Sequence, residues 1–253
     1  MKLLDHFTRS GDVLFRRRSL LPLLLLPLVA LGLVGARLPE PVSAALRAWQ
    51  VLSMLVALAG LAVRVIAVGT APAGTSERST TSPRASALRT TGLYSVVRHP
   101  LYVGNTLTAV GLAAFTAAWY VPVIVALASL LYHERIAARE EAFLEDRFGE
   151  AFRSWAARVP AMIPRLSAFT RSSTPFVWRR VLGREFHALM VIGTVVFALD
   201  LARAALATGR LVFDPLWTGF FIVTAVVFVA CSLLKKFTSV FRVDEQEALA
   251  TKP

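Results

Sequence analysis

The sequence predicts an all-α protein, a polytopic transmembrane helix bundle of about six spans that includes one tight helical hairpin. Three observations predict it. Hydrophobic residues make up 56% of the 253 positions, above the roughly 45–50% of soluble domains. They gather in long runs, the mark of membrane helices. The basic residues are sorted into alternate loops, as they are in membrane proteins of defined orientation.

Each element follows in order. Residues 1–18 read as an interfacial segment, with Leu3, Leu4, Phe7, Val13 and Leu14 among polar residues, closed by Arg16-Arg17-Arg18. The first span covers about 20–36, and Pro22 and Pro27 lie in its first half. No small-residue cleavage site ends it convincingly, so it is read as a retained span and not a signal peptide. A short link leads to a second span at about 44–69. Residues 70–91 are rich in Ser, Thr, Gly and Pro, which is loop chemistry.

Apolar character returns from Leu101 to Tyr132, too long for one ordinary span. The stretch Ala118-Trp119-Tyr120-Val121-Pro122 is read as the tip of a hairpin. Each arm would hold about 15 residues, or about 22 Å at 1.5 Å per residue, short of the ~30 Å hydrocarbon core. Residues 133–158 are charged and helical in pattern, with Leu144, Phe148, Phe152 and Trp155 on one face. A basic stretch at 165–185 precedes two further spans, at about 186–206 and 215–234, and Lys235-Lys236 stop the last.

With Arg16–Arg18 placed inside, every later loop agrees. The 37–43 link carries one arginine outside, and the 70–98 loop carries four inside. The hairpin tip carries none, the 133–185 region many, and the 207–214 link only Arg210. The expectation is therefore a multi-pass integral membrane protein with both termini in the cytosol. The Ala-, Leu- and Arg-rich composition points to a bacterial inner (cytoplasmic) membrane. The formal charge of +12 is explained by these loops and by anionic lipids. No basic-aromatic groove pattern marks a nucleic-acid binder. Cys231 is the only cysteine, which leaves no intramolecular disulfide and no thiol metal site. His133 and Glu134 are adjacent but belong to no HExxH-like set, so no metal is expected.

Two clusters on the inner side carry chemistry. In Arg98-His99-Pro100-Leu101-Tyr102-Val103-Gly104, Pro100 suits the first turn of a helix. The third span is expected to begin there, with His99 near its N-cap. Arg98, His99 and Tyr102 would then surround a helix end that attracts anions, and Gly104 permits a close approach. Taken singly, Arg98 could be a snorkelling anchor and Tyr102 an interfacial aromatic. The second cluster holds Glu140-Glu141, Leu144, Phe148-Gly149 and Val159-Pro160-Ala161-Met162-Ile163-Pro164. Its plain reading is a solvated face with Glu paired to Arg139 or Arg147. Its functional reading is a site for a cationic partner.

Together the clusters form a pattern. Gly92-x-Tyr94-x-x-x-Arg98-His99-Pro100-x-Tyr102-x-Gly104 is followed by Glu140-Glu141-x-x-Leu144-x-x-x-Phe148-Gly149-x-x-Phe152 and Val159-Pro160-x-x-Ile163-Pro164. The combination resembles the isoprenylcysteine carboxyl methyltransferase superfamily, which includes phospholipid methyltransferases. Gly60-x-x-x-Arg64 also looks like that family. The resemblance covers about residues 50–165. Phe152 and Trp155 stand where tyrosines are frequent.

The resemblance implies a membrane methyltransferase core at 19–165, followed by an extension at 166–253 with two further spans. It also implies a cytosolic cofactor-binding helix, S-adenosyl-L-methionine as cofactor, and a lipophilic acceptor (lipid, isoprenoid or prenylcysteine-like) arriving from the bilayer. Arg98, His99 and the start of the third span would take the donor's carboxylate. Glu140 and Glu141 would take its ammonium or ribose hydroxyls. Tyr94, Tyr102, Phe152 and Trp155 would flank adenine or the sulfonium, with Pro160 and Ile163 walling the pocket and Gly104 allowing close approach. Catalytic roles fall to Arg64, His99 and Glu141: Arg64 to orient an anionic head group, with simple snorkelling at the end of a span as its equal alternative, and His99 or a glutamate to take a proton. Membrane lipids are expected partners, a homo-oligomer is left open, and no metal is implied. The competing readings are a non-catalytic cofactor-binding protein and a transporter or scaffold.

Overall fold

The computed structural model describes residues 24–36, 41–71 and 87–241. The expected segment at 1–18 lies outside them. Seven α-helices are present among the described residues: α1 (Leu26–Ala36), α2 (Ala44–Gly69), α3 (Pro100–Ala114), α4 (Tyr120–Phe148), α5 (Glu150–Ala156), α6 (Trp178–Thr208) and α7 (Pro215–Phe237). An isolated antiparallel bridge, Gly92 to Thr170, replaces any sheet there. Four helices, α2, α4, α6 and α7, are long and apolar enough to cross a membrane. The fold is a helical membrane bundle. Leu55, Leu127, Leu131, Val191, Val226 and Val229 are all exposed, which is the surface such a bundle offers to lipid.

Backbone contact sets the α2–α3 pair. A Cβ on Gly60 would lie 2.5 Å from the Gly104 carbonyl oxygen, and one on Gly104 would lie 2.7 Å from the Gly60 carbonyl oxygen. Small residues at such crossings let helices approach closely in an apolar solvent. Thr108 donates its hydroxyl to the Ala57 carbonyl at 3.1 Å along the same seam. Farther along, Phe115 packs edge-on to Trp217 at 5.1 Å, joined by Ala57, Ile192, Val196 and Leu199 in the main apolar core.

The hairpin turns at residues 115–119, between α3 and α4. Thr116 donates to the Ala113 carbonyl there. Its first arm, α3, has 15 residues, as the sequence suggests. Its second arm, α4, has 29 residues, or about 43 Å, so the apolar arm runs unbroken into the charged segment. Pro122 falls in the first turn of α4, where the missing N–H costs nothing. The charged helix is not continuous to residue 158. Gly149, at φ +51°, separates α4 from α5, because the left-handed region suits glycine and ends a helix.

The basic stretch at 165–185 is also more ordered than a loop. Helix α6 begins at Trp178 and carries Arg179, Arg180, Arg184 and Glu185 in its first turns. Its start is fastened to the end of α2. Val177 N–H donates to the Gly69 carbonyl at 2.9 Å, Thr174 donates to the Thr70 carbonyl at 2.7 Å, and Arg180 donates to the Ala71 carbonyl at 2.5 Å. These bonds satisfy carbonyls that a helix end otherwise leaves open.

At the opposite end of the bundle lie Trp49, donating to the Ala114 carbonyl at 2.8 Å, the Arg47–Asp214 pair, and Asp200 paired to Arg203 at 3.0 Å. Asp214 also caps α7, accepting from Leu216 N–H and Trp217 N–H.

Candidate active site

The loop leading into α3 is held by a second loop. Arg98 N–H donates to the Pro160 carbonyl at 2.8 Å, His99 N–H to the Ala161 carbonyl at 3.3 Å, and Arg165 N–H to the Val96 carbonyl at 2.9 Å. Gly92 turns at φ +63°, and Ser95 bonds back to its carbonyl at 2.7 Å. The 92–99 and 160–170 segments therefore lie side by side. Pro100 is the first residue of α3 and His99 its N-cap, with no side-chain capping bond. The His99 ring is thus free to face α4.

There it meets the paired glutamates. Arg98 grips Glu141 through both oxygens, Nε to Oε1 at 2.9 Å and Nη2 to Oε2 at 3.2 Å. This two-bond fork is the strong form of an arginine–carboxylate contact. The third arm, Nη1, donates to the carbonyls of Ala156 at 2.8 Å and Val159 at 3.2 Å. His99 Nε2 lies 2.8 Å from Glu141 Oε1. An ionised carboxylate only accepts, so Nε2 carries the proton that is donated. Tyr102 donates its hydroxyl to Glu140 Oε1 at 2.6 Å. The second Glu140 oxygen stands 3.7 Å from His99 Nδ1.

An aromatic column continues inward. The Tyr102 ring stacks on His99 at 5.3 Å on one side and on His133 at 4.8 Å on the other. His133 Nδ1 lies 3.1 Å from the Thr106 hydroxyl. The cluster thus joins the entry of α3 to the charged half of α4, from segments 42 and 43 residues apart.

The remaining expected site residues occupy different surroundings. Phe152 and Trp155 pack with Val159 in an apolar core beneath the loop, against Tyr94, Leu144 and Phe148. Trp155 Nε1 donates to the Tyr94 carbonyl at 3.1 Å. The Arg89 guanidinium lies 5.4 Å over the Tyr94 ring and bonds its hydroxyl at 3.3 Å. Burial pushes the Tyr94 phenol above its ordinary pKa, with Arg89 opposing. Pro160 contributes its carbonyl to Arg98. Ile163 is 80% exposed, outside the polar cluster. Gly104 lies against the α2 backbone and the Arg64 side chain.

Arg64 sits apart from the Arg98–Glu141 cluster. Its Nε and Nη2 donate to the two oxygens of Glu185 at 2.8 and 2.9 Å, and its Nη1 to Asn105 Oδ1 at 2.5 Å. Sequence reasoning missed Glu185 and Asn105. One signal was present: Glu185 is the lone acid after Arg179, Arg180 and Arg184, at the edge of an apolar run. No group of three or more potential metal ligands occurs among the described residues.

Comparison with known proteins bears on this geometry. Residues 52–151 match the family model for phospholipid methyltransferase. That stretch holds Gly60, Arg64, Arg98 to Gly104, Glu140 and Glu141. The nickel-cobalt-cadmium resistance protein NccN of Alcaligenes xylosoxydans xylosoxydans is 39% identical over 125 residues, 48% of this chain and 58% of that protein. The cobalt-zinc-cadmium resistance protein CzcN of Cupriavidus metallidurans is 44% identical over 87 residues, 34% of this chain and 40% of that protein. The chain thus spans about half the length of the curated relatives it matches. No solved structure matches.

Proposed function

We propose that this chain, whose residues 52–151 match the phospholipid methyltransferase family, transfers a methyl group from S-adenosylmethionine to a lipophilic acceptor at the cytosolic face of a bacterial inner membrane. One observation carries the reading. The matched stretch folds so that Arg98, His99, Tyr102, Glu140 and Glu141 bond to one another at one end of an otherwise apolar bundle. A purely structural anchor needs no such convergence of two carboxylates, a guanidinium and an imidazole.

These residues fit the cofactor. Arg98 and His99 hold the Glu141 carboxylate, which is 22% exposed; the carboxylate of an amino-acid moiety would displace it from these donors and leave it to face the ammonium. Glu140 and Glu141 suit its ammonium or ribose hydroxyls, and the Tyr102 ring offers a face to a cation. S-adenosylmethionine, when bound, supplies an electrophilic methyl group on a positively charged sulfur. The chain's own task is to align the acceptor and exclude water. For an acceptor that must shed a proton, Glu140, Glu141 or His99 takes it. Exposed apolar side chains of α4 and α6, among them Leu127, Leu131 and Val191, would meet an apolar acceptor in the bilayer. Membrane lipids are then natural partners, and self-association remains compatible with the exposed faces of α6 and α7.

Purified protein in lipid nanodiscs should bind S-adenosylmethionine by calorimetry and transfer labelled methyl to a membrane lipid extract. Binding without transfer supports a non-catalytic cofactor protein, and no binding removes the methyltransferase reading. The relatives' names add a second, physiological expectation: a role in metal tolerance. If so, deletion should sensitise cells to cobalt, nickel or cadmium. Rescue by wild type but not by Glu141→Gln ties tolerance to the site, whereas rescue by both favours a scaffold.

A further inference from the structure

Arg64 is already occupied, and its partner comes from outside the matched stretch. Glu185, 121 residues away, lies in the second turn of α6. It answers Nε and Nη2 with one oxygen each, while Asn105 takes Nη1. The side chains are 19% (Arg64) and 5% (Glu185) exposed. Glu185 is not a loose surface acid. The start of α6 is bonded to the end of α2 by Val177, Thr174 and Arg180, so its carboxylate is delivered to a set place.

That place is separate from the Arg98–Glu141 cluster but shares helix α3 with it. Along α3, His99 faces Glu141, Tyr102 faces Glu140, and Asn105 faces Arg64, at successive intervals of three residues, about 4.5 Å of rise each. Arg64 therefore lies one step farther along α3 than Glu140, toward the apolar middle of the bundle. An unpaired arginine there would be a strong receptor for an anionic head group. Paired through both oxygens of Glu185, it offers no net charge to one. Replacing that carboxylate by another would also leave the buried Glu185 without its partner, which is costly.

We propose that Glu185 is a specificity-determining residue: by occupying Arg64 it bars anionic head groups from the acceptor side of the site. The proposal rests on the methyltransferase reading for the meaning of "acceptor", but its test does not require methyl transfer. Full-length protein in nanodiscs of uncharged lipid is titrated with dodecanoate and with dodecanol. Wild type should bind dodecanoate no tighter than dodecanol. Glu185→Gln should bind dodecanoate about 10-fold tighter than wild type does, a usual size for one charge-assisted contact, with dodecanol unchanged. Arg64→Met added to Glu185→Gln should abolish the gain.

A wild-type preference for dodecanoate of about 10-fold or more overturns the proposal. So does a folded Glu185→Gln without the gain, or a failure of both proteins to bind either amphiphile. If Glu185→Gln does not fold, the wild-type ratio decides alone. S-adenosylmethionine binding is measured on the same samples. Its absence in wild type refutes the methyltransferase reading and leaves the amphiphile ratio readable.

Discussion

Glu141 accepts from Arg98 through both oxygens and from His99 through one, so a single amide substitution unsettles three bonds. In Glu141→Gln the amide nitrogen would face a donor of Arg98, and the negative charge is gone. Affinity for S-adenosylmethionine, read by calorimetry, should fall about 10-fold or more, since bonds to charged groups carry ~1.5–3 kcal/mol. Tyr94 gives a test of a different kind. Its phenol pKa is raised by burial, so folding favours the neutral form. That contribution is complete below the ordinary value of about 10 and is lost as pH rises through the raised value. The melting temperature of wild type should therefore drop on the alkaline side of about pH 10, and that of Tyr94→Phe should drop less.

Helix α3 meets α2 backbone to backbone at three glycines, Gly60, Gly104 and Gly111. A side chain at Gly60 would strike the Gly104 carbonyl and the Thr108 backbone, with no flexible group to yield. Gly60→Val should push α3 away from α2, costing about 1–3 kcal/mol as overpacking does. A lower melting temperature in nanodiscs, together with weaker S-adenosylmethionine binding, is the expected result, because His99 and Tyr102 ride on the same helix. At this scale much was legible in the sequence. Pro100 marked the start of α3, because a proline at the first helical position has a local cause, and the apolar run from 215 marked that of α7. The break at Gly149 was not legible, since the apolar face of Leu144, Phe148, Phe152 and Trp155 survives it as one cluster. The early start of α6 was hidden for a similar reason. Its charges look like loop charge until Arg180 meets the Ala71 carbonyl and Glu185 meets Arg64, partners more than 100 residues away.

The bundle as a whole places its two kinds of polar chemistry at opposite ends. The Arg98–Glu141 cluster and the Arg64–Glu185 pair lie at one end; Arg47–Asp214 and Asp200–Arg203 lie at the other. The orientation can be tested with single cysteines in a Cys231→Ser background. An impermeant maleimide should label Trp119→Cys, at the exposed hairpin turn, on intact spheroplasts. Asp146→Cys, exposed near the end of α4, should react only after permeabilisation. The reverse pattern would invert the topology. Long-range pairing of this kind also has a consequence in time. A ribosome adding about 5–20 residues per second completes Arg64 roughly 6–24 seconds before Glu185, 121 positions later. During that interval the hairpin can insert, but the half-buried Arg64 and the last carbonyls of α2 have no α6 to receive them. The insertion machinery or water must shelter them until the chain's final third emerges, so a ribosome halted near residue 170 would leave a charged, unfinished membrane protein for the cell's proteases to recognise.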